Sequence, residues 1–261
     1  MWSLLLGVSA AAYVAVAVAI IYMEEKKLFK DAVDGKVLLF GLLWILVSAV
    51  EFVLVAPLMF VLAPNELQVL AHQVCQVVAR GLHVVFFGPV VVEGKEHMNP
   101  NEVYMIVANH QTMMDITALY HLDGNFSWVS KSSIFLLPGA GWIMKLANYV
   151  PLTRKSKDSV LKMFEAAKDR FHNGWSVCIF PQGTRQRGEF LPFKDGAFDL
   201  AVTANVRVLP VTVIIPDDLW AWTRPGKVKL IVHKPLEKGL TKAELKQQSH
   251  DVIAASMPKL K

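Results

Sequence analysis

Residues 103–116 read VYMIVANHQTMMDI. Val103 to Ala108 is an apolar run of strand length, so it reads as a buried strand. Asn109 and His110 break the run, and Asp115 follows five residues after His110. Five residues on a regular helix turn about 500°, which leaves two side chains roughly 140° apart and unable to meet. They can meet if His110 lies in the loop before a helix and Asp115 lies in its first turn. The carboxylate then accepts from one imidazole nitrogen and leaves the other free as a base. The neighbours of His110 are Asn109, Gln111 and Thr112, with no serine or cysteine among them. A nucleophile is therefore expected from the substrate, such as a hydroxyl. The pair has a second reading, a histidine that caps a helix beside an unrelated aspartate, and spacing alone leaves both open.

The chain around this stretch is long enough for one α/β domain plus an additional element. Of its 261 residues, 54% are hydrophobic, a high share for a soluble protein. The excess lies mostly in residues 1–63. Residues 2–23 carry no charge, and Val37 to Ala63 is interrupted only by Glu51. Each run is long enough to cross a bilayer as a helix. The start lacks the basic segment of a secretory signal, so the two runs are expected to form an anchoring helical hairpin over 1–63, followed by an α/β domain over 64–261. Residues 64–261 hold 23 Lys/Arg against 17 Asp/Glu, a net of +6. Such a domain behind an apolar anchor suits an anionic membrane surface or substrate, although ordinary surface charge would give the same balance. Cys75 and Cys178 have no CxxC spacing and read as small core residues. The remaining histidines are scattered without metal-ligand spacing, so no metal is expected.

Beyond residue 63, strand-like and helix-like segments alternate. Asn65 stands where it could cap a helix carrying Leu67, Leu70, Val74, Val77 and Val78 at helical spacing. HVVFFGPVVVEG, from His83, reads as one broken strand or two short ones. SKDSVLKMFEAAKDRFHNG is an amphipathic helix ending at Gly174. WSVCIF, VRVLPVTVII and KVKLIVH read as further strands. The alternation predicts a mixed, mainly parallel sheet flanked by helices, with functional loops at the strand ends.

Three further stretches carry candidate chemistry. FPQGTRQRGEF, from Phe180, places a Pro-x-Gly turn after a strand, with Arg185 and Arg187 at once behind it. Such a turn could hold a phosphate by a charge-assisted fork, or offer backbone amides to an oxyanion; it could also be a solvated surface turn. In NYVPLTRKSK, Arg154 closes an apolar run. Lys131 precedes an apolar Leu-Leu-Pro-Gly turn that suits contact with a membrane.

Together, NHQTMMD, VPLTR, FPQGTR and VLPVTVI resemble the glycerophospholipid acyltransferase family, in particular its 1-acyl-sn-glycerol-3-phosphate acyltransferases, over about residues 80–240. The resemblance implies His110 as general base and Asp115 as its orienter. It implies Arg154 and Arg185, with Lys131 as a helper, at the phosphate of a lysophospholipid acceptor. Gln182, Gly183 and Thr184 would shape the loop beside the reacting carbonyl. The co-substrate would be an acyl thioester of coenzyme A or acyl carrier protein, with no separate cofactor, no metal and no nucleic-acid partner. The protein would work at the surface of a membrane, on its cytosolic side, with membrane lipid as its surroundings. Another lysophospholipid or glycerol 3-phosphate as acceptor, or a non-catalytic homologue, remain alternatives. Gln182 stands where the family usually has glutamate, and Tyr149 where it often has glycine. Any role that needs a carboxylate at position 182 is thereby in question.

Overall fold

The computed structural model describes residues 35–153, 156–186, 189–219 and 226–258. Seven strands make one sheet: β1 (Val91–Glu93), β2 (Tyr104–Ala108), β3 (Phe126–Lys131), β4 (Val150–Leu152), β5 (Ser176–Ile179), β6 (Arg207–Ile214) and β7 (Lys229–Val232). Their order is β1-β7-β6-β2-β5-β3-β4. Every neighbouring pair is parallel except β6 with β7, as a mixed, mainly parallel sheet requires.

The period of two along β2 decides which residues face which layer. Tyr104, Ile106 and Ala108 enter one core and Met105 and Val107 the other. On the second face lie α5 (Lys157–His172), α6 (Gly196–Ala204) and α7 (Lys242–Ser256). Ser156 caps α5 by accepting from the Ser159 amide, and Gly174 follows its end at φ +79°. On the first face lie α1 (Gly35–Leu62), α2 (Leu67–Phe87), α3 (Met114–Leu119) and α4 (Ala140–Leu146). Phe40 of α1 packs edge-on against Phe86 and at a tilt against Phe87, at the far end of α2, so the two helices run antiparallel. Phe40 and Met59 share the core of the sheet residues. The apolar run 37–63 is thus a helix lying on the sheet's own helical layer; the expected run 2–23 lies outside the described residues.

Two local readings are corrected. His83–Phe87 is the last part of α2, not a strand, and only Val91–Glu93 pairs in the sheet. A short apolar run does not by itself distinguish helix from strand; here the helix continues to Gly88, whose φ of +79° ends it. Asn65 makes no cap; it sits in a 3₁₀ turn, Pro64–Glu66, before the helix begins.

The inner face of α2 mixes apolar core residues with polar side chains. Arg80 donates to the Tyr120 and Leu122 carbonyls at 2.5 and 2.8 Å. His72 Nδ1 lies 2.8 Å from the Tyr149 hydroxyl, and His83 Nδ1 lies 2.7 Å from Thr117 Oγ1. Its outer face is apolar: Val77 and Val85 are 70% and 77% exposed. An apolar outer face departs from the pattern of a soluble amphipathic helix. The segment Pro64–Phe87 is long and apolar enough to cross a membrane by length and composition. Val53, Leu54, Phe60, Val61 and Leu62 of α1 are exposed as well. Leu136 and Leu137 join this surface, because the turn that follows them, at Gly139, abuts the α1 backbone at Ser48 and Ala49.

Gly139 has φ +72°, and a Cβ there would run into the Ala49 amide. Gly139→Ala is therefore expected to destabilise the fold by about 1–3 kcal/mol, through strain and loss of this close approach. Thermal unfolding in detergent checks it; an unchanged midpoint would contradict the packing described.

Candidate active site

The site lies at the carboxyl ends of β2 and β5, adjacent central strands. Asn109 extends β2 by one residue through its side chain. Its Nδ2 donates to the Val213 carbonyl at 2.8 Å, and the Val213 amide donates to its Oδ1 at 2.7 Å. A side-chain amide thus continues the ladder to β6 and fixes where the chain leaves the sheet.

His110 follows in the loop, and Asp115 sits in the first turn of α3. His110 Nδ1 and Asp115 Oδ2 are 2.8 Å apart. The same oxygen accepts from the Gln111 amide at 2.6 Å and the Thr112 amide at 2.8 Å. Asp115 is 0% exposed and His110 is 9% exposed. A carboxylate accepts only, so Nδ1 carries the proton that it receives and Nε2 keeps its lone pair in the neutral imidazole. One face of the ring lies on Phe180, with centroids 3.9 Å apart and planes 9° apart, and Phe180 in turn stacks on Trp128.

The backbone of His110 is held by the FPQGTR turn. The His110 amide donates to Gln182 Oε1 at 2.6 Å, and the Gln186 amide donates to the His110 carbonyl at 3.0 Å. Gln182 is buried, and its Nε2 reaches the Leu191 carbonyl at 3.4 Å. Both contacts suit an amide: the oxygen meets a donor and the nitrogen an acceptor. Within the turn, the Gly183 amide donates to the Phe180 carbonyl at 3.0 Å. The amides of Thr184 and Arg185 make no hydrogen bond among the described residues. Gly183 has φ +73°, and a Cβ there would meet the side chain of Lys194, whose ammonium lies over the turn.

Arg185 is exposed, yet its Nε donates to His110 Nε2 at 3.3 Å. Lys131 ends β3, the strand beside β5, and is exposed with no ion pair among the described residues. Thr184 is exposed on the turn. Arg154 lies outside the described residues. The structure thus gathers His110, Asp115, Gln182, Gly183 and Arg185 around one imidazole and leaves Lys131 at the same sheet edge. No group of three or more His, Cys, Asp or Glu side chains among the described residues is arranged to hold a metal ion. Tyr149 is buried and links His72 of α2 to the Tyr120 hydroxyl, 3.0 Å away.

Reading the sequence alone missed Phe180, Asn109 and Lys194. The aromatic residue directly before Pro181-Gln182-Gly183 was the available signal for the first. The partners of the other two are distant in the chain or, for Lys194, approach only through the fold.

A buried histidine–carboxylate pair lies at the carboxyl edge of a mainly parallel sheet, beside a cation-bearing turn, in an α/β domain. Residues 89–214 match the acyltransferase family model. It is 35% identical over 179 residues to a 1-acyl-sn-glycerol-3-phosphate acyltransferase of Chlamydomonas reinhardtii, covering 66% of this chain and 54% of that protein. To a chloroplastic 1-acyl-sn-glycerol-3-phosphate acyltransferase of Arabidopsis thaliana it is 33% identical, covering 66% of this chain and 50% of that protein. The chain thus spans about half the length of these curated relatives. The fold superposes with a TM-score of 0.66 on the crystal structure of the 1-acyl-sn-glycerophosphate (LPA) acyltransferase PlsC from Thermotoga maritima. That match has 26% identity and covers 82% of this chain and 91% of the other.

Gln182→Ala is expected to cost about 1–3 kcal/mol, because it leaves the buried His110 amide without an acceptor. Gln182→Glu keeps that acceptor and gives up only the long contact to Leu191, so it should cost less. Chemical denaturation of the two variants beside the parent checks the order; equal costs would remove the bond to His110 from the account.

Proposed function

We propose that the chain transfers an acyl group from a thioester of coenzyme A or acyl carrier protein to the free hydroxyl of 1-acyl-sn-glycerol 3-phosphate, making phosphatidic acid. The observation that carries this reading is the imidazole of His110, oriented by Asp115 so that its basic nitrogen faces a phosphate-binding type of side chain, Arg185. In this mechanism the acceptor oxygen attacks the thioester carbonyl carbon while Nε2 of His110 takes its proton. The tetrahedral oxyanion faces the turn, whose Thr184 and Arg185 amides are not used within it. Collapse breaks the carbon–sulfur bond, and the imidazolium returns its proton to the leaving thiolate. Asp115 holds the ring and balances its charge between the two steps.

Arg185, with Lys131 and Arg154, binds the acceptor's phosphate. A guanidinium fork matches two phosphate oxygens, and the relatives named for 1-acyl-sn-glycerol 3-phosphate support an acceptor of this kind. Gln182, Gly183 and Thr184 shape the turn. The chemistry needs no cofactor beyond the thioester. The exposed apolar residues of α2, α1 and Leu136–Leu137 support docking on a membrane. Residues 1–63 serve as the anchor, with the site at the membrane surface on the cytosolic side.

Purified protein given 1-acyl-sn-glycerol 3-phosphate and acyl-CoA should yield phosphatidic acid by mass. His110→Ala should lower kcat by about 10²-fold or more while the protein stays folded. Near-normal turnover in that variant contradicts the mechanism. High salt should leave the protein on membranes, since apolar burial is not screened as charge pairing is. Complete release into the supernatant by salt alone, followed by sedimentation, would contradict the anchor.

A further inference from the structure

Three groups surround the His110 ring. Asp115 occupies Nδ1, Phe180 covers a face, and Arg185 donates its Nε proton to Nε2 at 3.3 Å. The last contact occupies the lone pair that a general base must offer. While Arg185 stays there, no hydroxyl can hand its proton to His110. The ring cannot turn away, because Asp115 and the Phe180 stack fix it and the turn holds the His110 amide and carbonyl on both sides. Arg185, in contrast, is exposed. It is the one member of the contact that can move.

Resting on the reading above, we propose that Arg185 masks the catalytic base of the resting enzyme and that the acceptor's phosphate unmasks it. A guanidinium bound to a neutral imidazole nitrogen makes one hydrogen bond to an uncharged acceptor. A phosphate offers the same guanidinium two charged oxygens in a matching fork, which is the stronger partner. An acceptor that carries a phosphate therefore withdraws Arg185 and leaves its own hydroxyl beside the freed Nε2. Water, or an acceptor without an anion, leaves the base covered. Arg185 then determines specificity by controlling the base as well as by binding. The acyl thioester is protected from hydrolysis until an acceptor is present.

Acceptor-free hydrolysis tests this. In that side reaction a water oxygen bonds to the thioester carbonyl carbon, His110 takes a water proton and passes it to the leaving sulfur, and a fatty acid and a thiol result. The probe is an acyl thioester of N-acetylcysteamine, which carries no phosphate, given to the full-length protein with thiol release as the readout. Wild type should hydrolyse it slowly. Inorganic phosphate should accelerate this by about tenfold or more, the factor of one charge-assisted hydrogen bond, whereas chloride at equal ionic strength should not. Arg185→Ala and Arg185→Gln should be fast without phosphate and indifferent to it. Adding His110→Ala to either should abolish the gain.

Wild-type hydrolysis indifferent to phosphate overturns the proposal, as do Arg185 variants no faster than wild type. Acyl-CoA hydrolysed as fast without phosphate as the N-acetylcysteamine thioester is with it also overturns the proposal, since the donor's own phosphates would then be the trigger. Acylation of 1-acyl-sn-glycerol 3-phosphate by wild type, measured in parallel, separates the two ideas. Transfer without phosphate-stimulated hydrolysis leaves the function standing and removes the mask. Phosphate-stimulated hydrolysis without transfer keeps the mask and removes this acceptor.

Discussion

The Asp115 carboxylate is the point from which the rest of the site is fixed. It is fully buried, and one of its oxygens receives the Gln111 and Thr112 amides together with the His110 ring. A carboxylate out of water needs such donors, because each unmade hydrogen bond to a buried charged group costs more than one to a neutral group. The two amides belong to the loop that leaves β2, so the demand of one buried carboxylate shapes the loop and aims the imidazole at once. Asp115 can meet that demand only from the first turn of α3, whose start is set by where β2 ends. Asn109 sets that end by bonding to β6.

The second half of the site approaches from a different part of the chain. Gln182 and Gln186 grip the His110 backbone from the turn after β5, and Phe180 supplies the floor under the ring. The parallel pairing of β2 with β5 places the two loops side by side at one edge. An aromatic stack then leads from His110 through Phe180 to Trp128 on the core face that also holds α1 and α2. Tyr149 and the polar side chains of α2 lock that helical layer to α3. The result is an apolar outer surface carried by the same layer that positions α3.

Much of this could be read from the sequence, for identifiable reasons. The β2 strand, its break at Asn109-His110 and the five-residue step to Asp115 are local, and helix geometry lets the pair meet through the loop-then-helix arrangement that the structure has. The amphipathic α5 was legible from its spacing and Gly174. What escaped was non-local or depended on the surroundings. Gln182 and His110 are 72 residues apart, and only the parallel sheet brings them together. Periodicity revealed that α2 has two faces, but not which faces inward. Of the positions at helical spacing, Leu67, Leu70 and Val74 pack on the core, whereas Val77 is 70% exposed and His72 and His83 are buried. His83–Phe87 looked like a strand because a short apolar run, Val84–Phe87, fits either structure. Tyr149, a departure from the family pattern, became intelligible only with its partners in view.

The most direct test of the account is the tautomer of His110 in the acceptor-free protein, read from the ¹⁵N shifts of its ring with selectively labelled histidine. The geometry predicts a proton on Nδ1, held by Asp115, and an Nε2 that accepts from Arg185. Asp115→Asn should weaken that preference. A ring protonated on Nε2 in the intact protein would contradict the central claim, because no lone pair would then face the acceptor.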